Sequence, residues 1–141
     1  MKMQLAIICA LIGFAALANG TATYRDAMGR NQGSARTHGS YTTYRDSQGR
    51  MQGTARTDSS GTHTTYRDSS GRLVGSSRTD SSGRTTFRDS MGSIQGTART
   101  DSSGRVTYRD GQGRLVGTAT TDSSGRVTYR DAQGRLKGTK K

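Results

Sequence analysis

All ten acidic residues of this chain are aspartates, and each opens a four-residue Asp-x-x-Gly cell: Asp26, Asp46, Asp58, Asp68, Asp80, Asp89, Asp101, Asp110, Asp122 and Asp131. Asp favours the first position of a type I turn because its carboxylate bonds the backbone two residues on, and Gly at the fourth position accepts the left-handed conformation that returns the chain. The acidic residues are thereby committed to turns, leaving none free for catalysis. From Asp68 onward the Asp-to-Asp interval alternates 12, 9, 12, 9, 12, 9, so segments of five and eight residues separate successive turns. Both lengths suit β-strands and neither suits a helix.

A complete cycle reads Val106-Thr107-Tyr108-Arg109, turn Asp110-Gly111-Gln112-Gly113, strand Arg114 to Thr121, then turn Asp122-Ser123-Ser124-Gly125. Its aromatic recurs at Tyr24, Tyr44, Tyr66, Phe87, Tyr108 and Tyr129, at intervals of 20, 22, 21, 21 and 21. The chain is therefore expected to be an all-β protein of about six 21-residue units, in which no unit buries its apolar side alone. Adjacent turn signals favour an antiparallel β-hairpin meander; a β-solenoid with one repeat per coil is the alternative. The first unit is irregular, with Thr37-His38-Gly39-Ser40 where a second Asp-x-x-Gly cell is due. An atypical first unit has the form of an end cap, and drift in an unneeded repeat would look the same.

Side-chain parity sets a further condition. If Asp110 to Gly113 closes a simple hairpin, Tyr108 and Val106 share a face with Leu115, while Arg109, Thr107 and Arg114 take the other. Twenty-one is odd, so strict alternation would exchange the two faces in every repeat. The glycines recurring once per repeat, Gly33, Gly53, Gly75, Gly96, Gly117 and Gly138, mark where a bulge could absorb one residue per cycle. Room for a neighbouring aromatic ring is the other explanation for them.

Met1-Lys2 precedes an uncharged apolar run from Met3 to Ala18 that ends in small residues, the order of a secretory signal peptide, with cleavage expected after Ala18 or Gly20. The run is short for a membrane span, so the mature chain is expected to have no transmembrane segment. The division is then a signal peptide over 1–18, a six-repeat β domain over 19–138 and a basic tail over 139–141. Cys9 lies in the leader, which leaves the mature chain without a disulfide. Apolar residues make up 28% of the whole, and aliphatic core formers in the repeats are few: Leu73, Val74, Ile94, Val106, Leu115, Val116, Val127 and Leu136. Such a composition borders on disorder. Asp and Gly held in register argue against it.

The formal charge is +12, and every Arg sits at a repeat position, after the turns, just before Asp, or in the long strand. Arrayed guanidinium groups attract anionic polymers such as lipopolysaccharide, acidic polysaccharide or extracellular DNA; the candidate residues are Arg36, Arg56, Arg78, Arg99, Arg109 and Arg130. Arg and Asp paired across strands would instead serve solubility. Thr rows that could present an ice-binding face are broken by Arg56, Arg78 and Arg99. Metal chemistry has few ligands to draw on, since His38 and His63 do not recur. Each turn carries one carboxylate, far from an acidic calcium repeat. Ser123, Ser124 and their equivalents have no base beside them. Neither an enzyme, a cofactor nor a small-molecule substrate is expected.

The stretch Thr121-Asp122-Ser123-Ser124-Gly125-Arg126-Val127-Thr128, followed by Tyr129-Arg130-Asp131-Ala132-Gln133-Gly134-Arg135-Leu136, resembles the tyrosine-aspartate (YD) repeats of Rhs and wall-associated proteins. An aromatic shortly before Asp, then x-x-Gly-Arg-Leu, at a period near 20, covers Tyr24 to Leu136. In those families Tyr directly precedes Asp, whereas here Arg130 intervenes. The resemblance implies antiparallel hairpin strips in secreted or surface proteins. Signal peptide, size and strand-turn-strand repeats are also similar in organisation to curli-type fibre subunits. The expected function is a secreted, non-enzymatic structural or adhesive protein at the cell surface; a self-assembling extracellular fibre subunit and a soluble polyanion-binding factor are the alternatives.

Overall fold

A computed structural model describes residues 19–141; the leader expected over 1–18 lies outside the described residues. Twelve strands follow in order: β1 (Gly20–Asp26), β2 (Asn31–His38), β3 (Tyr41–Asp46), β4 (Met51–Thr57), β5 (His63–Asp68), β6 (Leu73–Thr79), β7 (Arg84–Asp89), β8 (Ile94–Thr100), β9 (Val106–Asp110), β10 (Leu115–Thr121), β11 (Val127–Asp131) and β12 (Leu136–Lys140). Each pairs antiparallel with its sequence neighbours, and β12 pairs with β1, so the sheet closes into a barrel. The all-β antiparallel hairpin reading holds. The solenoid does not, and the meander is not open: among the described strands there is no terminal repeat for the irregular first unit to cap.

The Asp-x-x-Gly cells form the strand connections as their chemistry requires. At Asp110 the N–H of Gly113 donates to the Asp110 carbonyl at 3.0 Å, and the N–H of Asp110 donates to the Arg114 carbonyl at 2.9 Å. The carboxylate Oδ1 accepts the N–H groups of Gln112 and Arg114, both at 2.9 Å. Gly113 has φ +84°, the left-handed residue that completes a type I turn with a bulge. Thr37-His38-Gly39-Ser40, without the Asp, makes a tighter turn in which His38 pairs with Tyr41.

Each repeat resolves its parity through a bulge. Tyr108 pairs with Gly117, but Arg109 pairs with Leu115, so Val116 is the extra residue; the same shift occurs at Tyr24, Tyr44, Tyr66, Phe87 and Tyr129. The glycine is required for a reason that concerns backbone and not a ring. A Cβ on Gly117 would strike the carbonyl oxygen of Arg130 on the next hairpin, and Gly33, Gly53, Gly75, Gly96 and Gly138 stand likewise against Arg45, Arg67, Arg88, Arg109 and Arg25.

The bulge also corrects two expectations about the core. Leu115 does not share the face of Tyr108 and Val106: it lies beyond the bulge, 42% exposed, beside Arg109. Leu73, Ile94, Val116 and Leu136 are exposed too. Of the aliphatics expected inside, Val106 is buried, with Val127 packed against the same cluster. The interior is built from aromatics and small residues, each even strand from β2 to β10 setting its glycine against one aromatic and its alanine or serine against the next, as Ala119 faces Tyr129 and Ser77 faces Phe87. The basic tail joins this pattern, with Thr139 and Lys140 part of β12 and Lys140 buried. Burial pushes the Tyr24 and Tyr108 phenols up to about 12, and raises Tyr129 as well, first by burial and then by repulsion from Tyr108 and Tyr24. It lowers Lys140.

Candidate anion-binding surface

Alternation along the strands puts aromatics, glycines and alanines inside and arginines outside, and the hairpin order sorts those arginines onto two rims. At one rim, the turns opened by Asp26, Asp46, Asp68, Asp89, Asp110 and Asp131 are each preceded by an Arg that folds back over its own turn. Arg25, Arg45, Arg67, Arg88, Arg109 and Arg130 each donate through Nη1 to the carbonyl of the turn glycine, at 2.7–2.9 Å. The residue after the turn adds an ion pair where it is Arg: Arg30, Arg50, Arg114 and Arg135 reach Asp Oδ2 through Nε at 2.8–2.9 Å, and Arg72 at 3.7 Å. These arginine side chains are 71–81% exposed, so the pairs order the rim more than they stabilise it. The Arg114 guanidinium, then its backbone N–H, hold Asp110 below the usual carboxylate range.

The opposite rim hydrogen-bonds its carboxylates without arginine side chains. Ser82, Ser103 and Ser124 donate their hydroxyls to Asp80, Asp101 and Asp122 at 2.6 Å, and the following Arg84, Arg105 and Arg126 donate backbone N–H groups, their guanidinium groups acting on the carboxylates through charge alone. The Ser103 hydroxyl is the main cause holding Asp101 below its ordinary value. These three arginines are exposed.

Of the sequence candidates, Arg36, Arg56, Arg78 and Arg99 lie exposed beside this second rim, with no hydrogen bond or ion pair among the described residues. Arg109 and Arg130 lie at the first rim, tied to Gly113 and Gly134. The six therefore do not make one row. The structure instead brings two arginines outside that set into the same surface: Arg84 on β7 stands directly opposite Arg99 on β8. Arg78 pairs with Thr86, two residues along from Arg84, and Arg99 pairs with Thr107, two along from Arg105. Diagonal neighbours on one sheet face lie about 7–8 Å apart, so Arg78, Arg84, Arg99 and Arg105 form a continuous strip across β6 to β9. The pointer to Arg84 and Arg105 was hairpin register, which brings post-turn residues against the long-strand arginines.

His38 and His63 are exposed at strand ends, and among the described residues no three His, Cys, Asp or Glu side chains gather into a metal-holding group. No family model matches the chain, and no curated protein matches it. Among solved structures it is similar to BamB from Moraxella catarrhalis, at 13% identity over 79% of this chain and 44% of that one, with a TM-score of 0.28. The chain spans less than half the length of that protein, and a similarity of this degree carries no argument about fold or function.

Proposed function

We propose that this is a secreted, non-enzymatic β-repeat protein with a structural or adhesive role at a cell surface, holding anionic polymer along the Arg78, Arg84, Arg99 and Arg105 strip. The observation that carries the reading is the in-register Arg84–Arg99 pair. Like charges directly opposite one another on a sheet are destabilising; the Asp80 carboxylate reaches the Arg84 guanidinium through charge alone, whereas the same fold binds its other rim's arginine side chains to turn carbonyls and aspartates. A linear polyanion crossing the strands supplies direct counter-charge, by displacing salt ions from both partners. Past the bulge glycine, the outward positions of β2, β4, β6 and β8 are Ser or Thr and then Arg, as in Thr97 and Arg99 on β8, so the exposed aliphatics Leu73, Ile94, Leu115 and Leu136 are confined to the strand starts, whereas a lipid-facing barrel wall would carry a tall apolar band. That chemistry favours a protein acting at a surface over one spanning it.

The test replaces Arg78, Arg84, Arg99 and Arg105 together with Gln and follows binding to a sulfated polysaccharide and to a short DNA duplex over a range of salt. Weaker binding with a flatter salt dependence is expected, with Arg109→Gln and Arg130→Gln as a control pair that retains most of the affinity. Unchanged binding by the fourfold variant overturns the proposal.

A further inference from the structure

The junction between β12 and β1 repeats the geometry of the internal ones. Gly138 stands opposite Asp26, as Gly117 does opposite Asp131 and Gly96 opposite Asp110. Lys140 stands opposite Tyr24, as Ala119 does opposite Tyr129. A Cβ on Gly138 would strike the Arg25 carbonyl, the contact that Gly117 makes with Arg130. An edge shaped like β12 therefore fits an edge shaped like β1 whichever copy of the chain supplies it.

The same junction has the shortest paired register in the barrel, and among the described strands it is the one that no turn ties together. Its ladder runs from Asp26–Gly138 to Tyr24–Lys140, extended by reciprocal backbone bonds between Thr23 and Lys141 at 2.6 and 3.1 Å. Where other junctions place Ala35, Ala55, Ser77, Ala98 or Ala119 against the aromatic, this one buries the Lys140 side chain, 9% exposed. Burial there disfavours the charged form of the amine, a cost that a methyl group does not carry. Parting any other pair of neighbouring strands strains a hairpin, whereas parting β1 from β12 does not.

We infer that the β1–β12 seam is an exchangeable edge, through which β12 of one copy pairs with β1 of a second copy to build head-to-tail assemblies. Opening leaves each copy with two complementary unpaired edges, and pairing them between copies is a heterologous contact that closes into larger rings or grows as a filament. The closed monomer holds its own edges at an effective concentration on the order of millimolar, so exchange is expected in concentrated or surface-crowded protein and not in dilute solution. This inference is independent of the anion-binding strip, which lies on β6 to β9.

The test locks the seam. Thr23 and Lys141, which exchange both backbone bonds, become Thr23→Cys and Lys141→Cys in the full chain carrying Cys9→Ser. Unmodified protein, raised to roughly millimolar through cycles of partial unfolding, is expected to form larger β-rich species by light scattering. The oxidised variant is expected to stay monomeric, and the reduced variant to assemble. Lys140→Ala supplies a second reading: one junction serves within and between copies, so easing it should slow the conversion several-fold and leave its end point unchanged. Persistence of the unmodified protein as a monomer under these conditions, or assembly of the oxidised variant to the same extent, overturns the inference.

Discussion

Thr100 faces Val106 across the β8–β9 ladder, and its buried Oγ1 meets no hydrogen-bond partner. Three equivalent junctions pair hydroxyl with hydroxyl: Thr37 with Thr42 and Thr57 with Thr64 at 3.0 Å, and Thr79 with Thr85 at 2.8 Å. At β8–β9 the partner has become Val, which adds apolar surface beside Phe87 and Tyr108 and strands the threonine. A buried hydroxyl left unpaired costs about 1–3 kcal/mol. Thr100→Val is therefore expected to stabilise the barrel by about 1 kcal/mol, seen as a higher thermal midpoint. Val106→Thr should restore the hydroxyl pair while losing apolar burial, for a smaller net change. A lower midpoint for Thr100→Val would contradict this account.

Two glycines in one repeat should fail for different reasons and by different amounts. Gly104 holds φ +80° at an open turn with nothing within 4 Å of an added Cβ, so Gly104→Ala is expected to cost about 1–2 kcal/mol from conformation alone. Gly117 sits where a Cβ would collide with the backbone carbonyl of Arg130. That oxygen belongs to a paired strand and cannot rotate away. Gly117→Ala should cost roughly 3 kcal/mol or more and separate β10 from β11. Urea denaturation of the two variants distinguishes the mechanisms, and equal losses would mean that the bulge glycine is not set by close approach.

Turns and bulges could be read from residues because their causes are local. A carboxylate bonds two amides within its own cell, and an odd repeat must lose one residue per cycle wherever strict alternation is kept inside. Closure has no such local cause. Gly138 and Asp26 carry the same chemistry as every other glycine–aspartate pair, so nothing in their identity announces that the last strand meets the first; the accumulated stagger of all twelve decides it. The place of Leu115 was lost with the position of the extra residue. With Val116 bulged, Leu115 turns outward beside Arg109, and the core falls to alanines such as Ala98 and Ala119 that composition alone would rank low. The arginine strip was legible in part: its long-strand members stand out by recurrence, while Arg84 needs the register that sets it opposite Arg99.

That opposition has a consequence for stability apart from any ligand. Arg84 and Arg99 repel each other, with Asp80 offsetting only part of the Arg84 charge, and cross-strand pairs contribute about 0.2–1 kcal/mol according to sign. Arg84→Glu should convert repulsion to attraction and raise the thermal midpoint at low salt, with the gain fading as salt screens it. The same substitution should weaken polyanion binding. Stability and binding moving in opposite directions is the signature expected of a residue kept for a partner; a fall in both would point to a structural role for Arg84.

The phenols give the fold an alkaline limit. Tyr24 and Tyr108, pushed up to about 12 by burial, remain neutral in the barrel above pH 10, where unfolded tyrosines ionise. A group whose folded pKa is raised contributes stability that is present below the unfolded value and is lost as pH rises through the folded one. The barrel should therefore hold to about pH 10 and lose stability between there and pH 12, by roughly 3 kcal/mol for each such tyrosine. Phe87 occupies the equivalent position without a hydroxyl and is 5% exposed, so the ring site does not need one. Tyr108→Phe is expected to leave the fold intact at neutral pH and move alkaline unfolding, followed by circular dichroism, to higher pH. Tyr66→Phe makes the comparison, because its hydroxyl bonds Ser77 at 2.9 Å; removing it should cost stability at neutral pH as well. If Tyr108→Phe left the alkaline midpoint where it was, ionisation of the inner phenols would not be what opens the barrel.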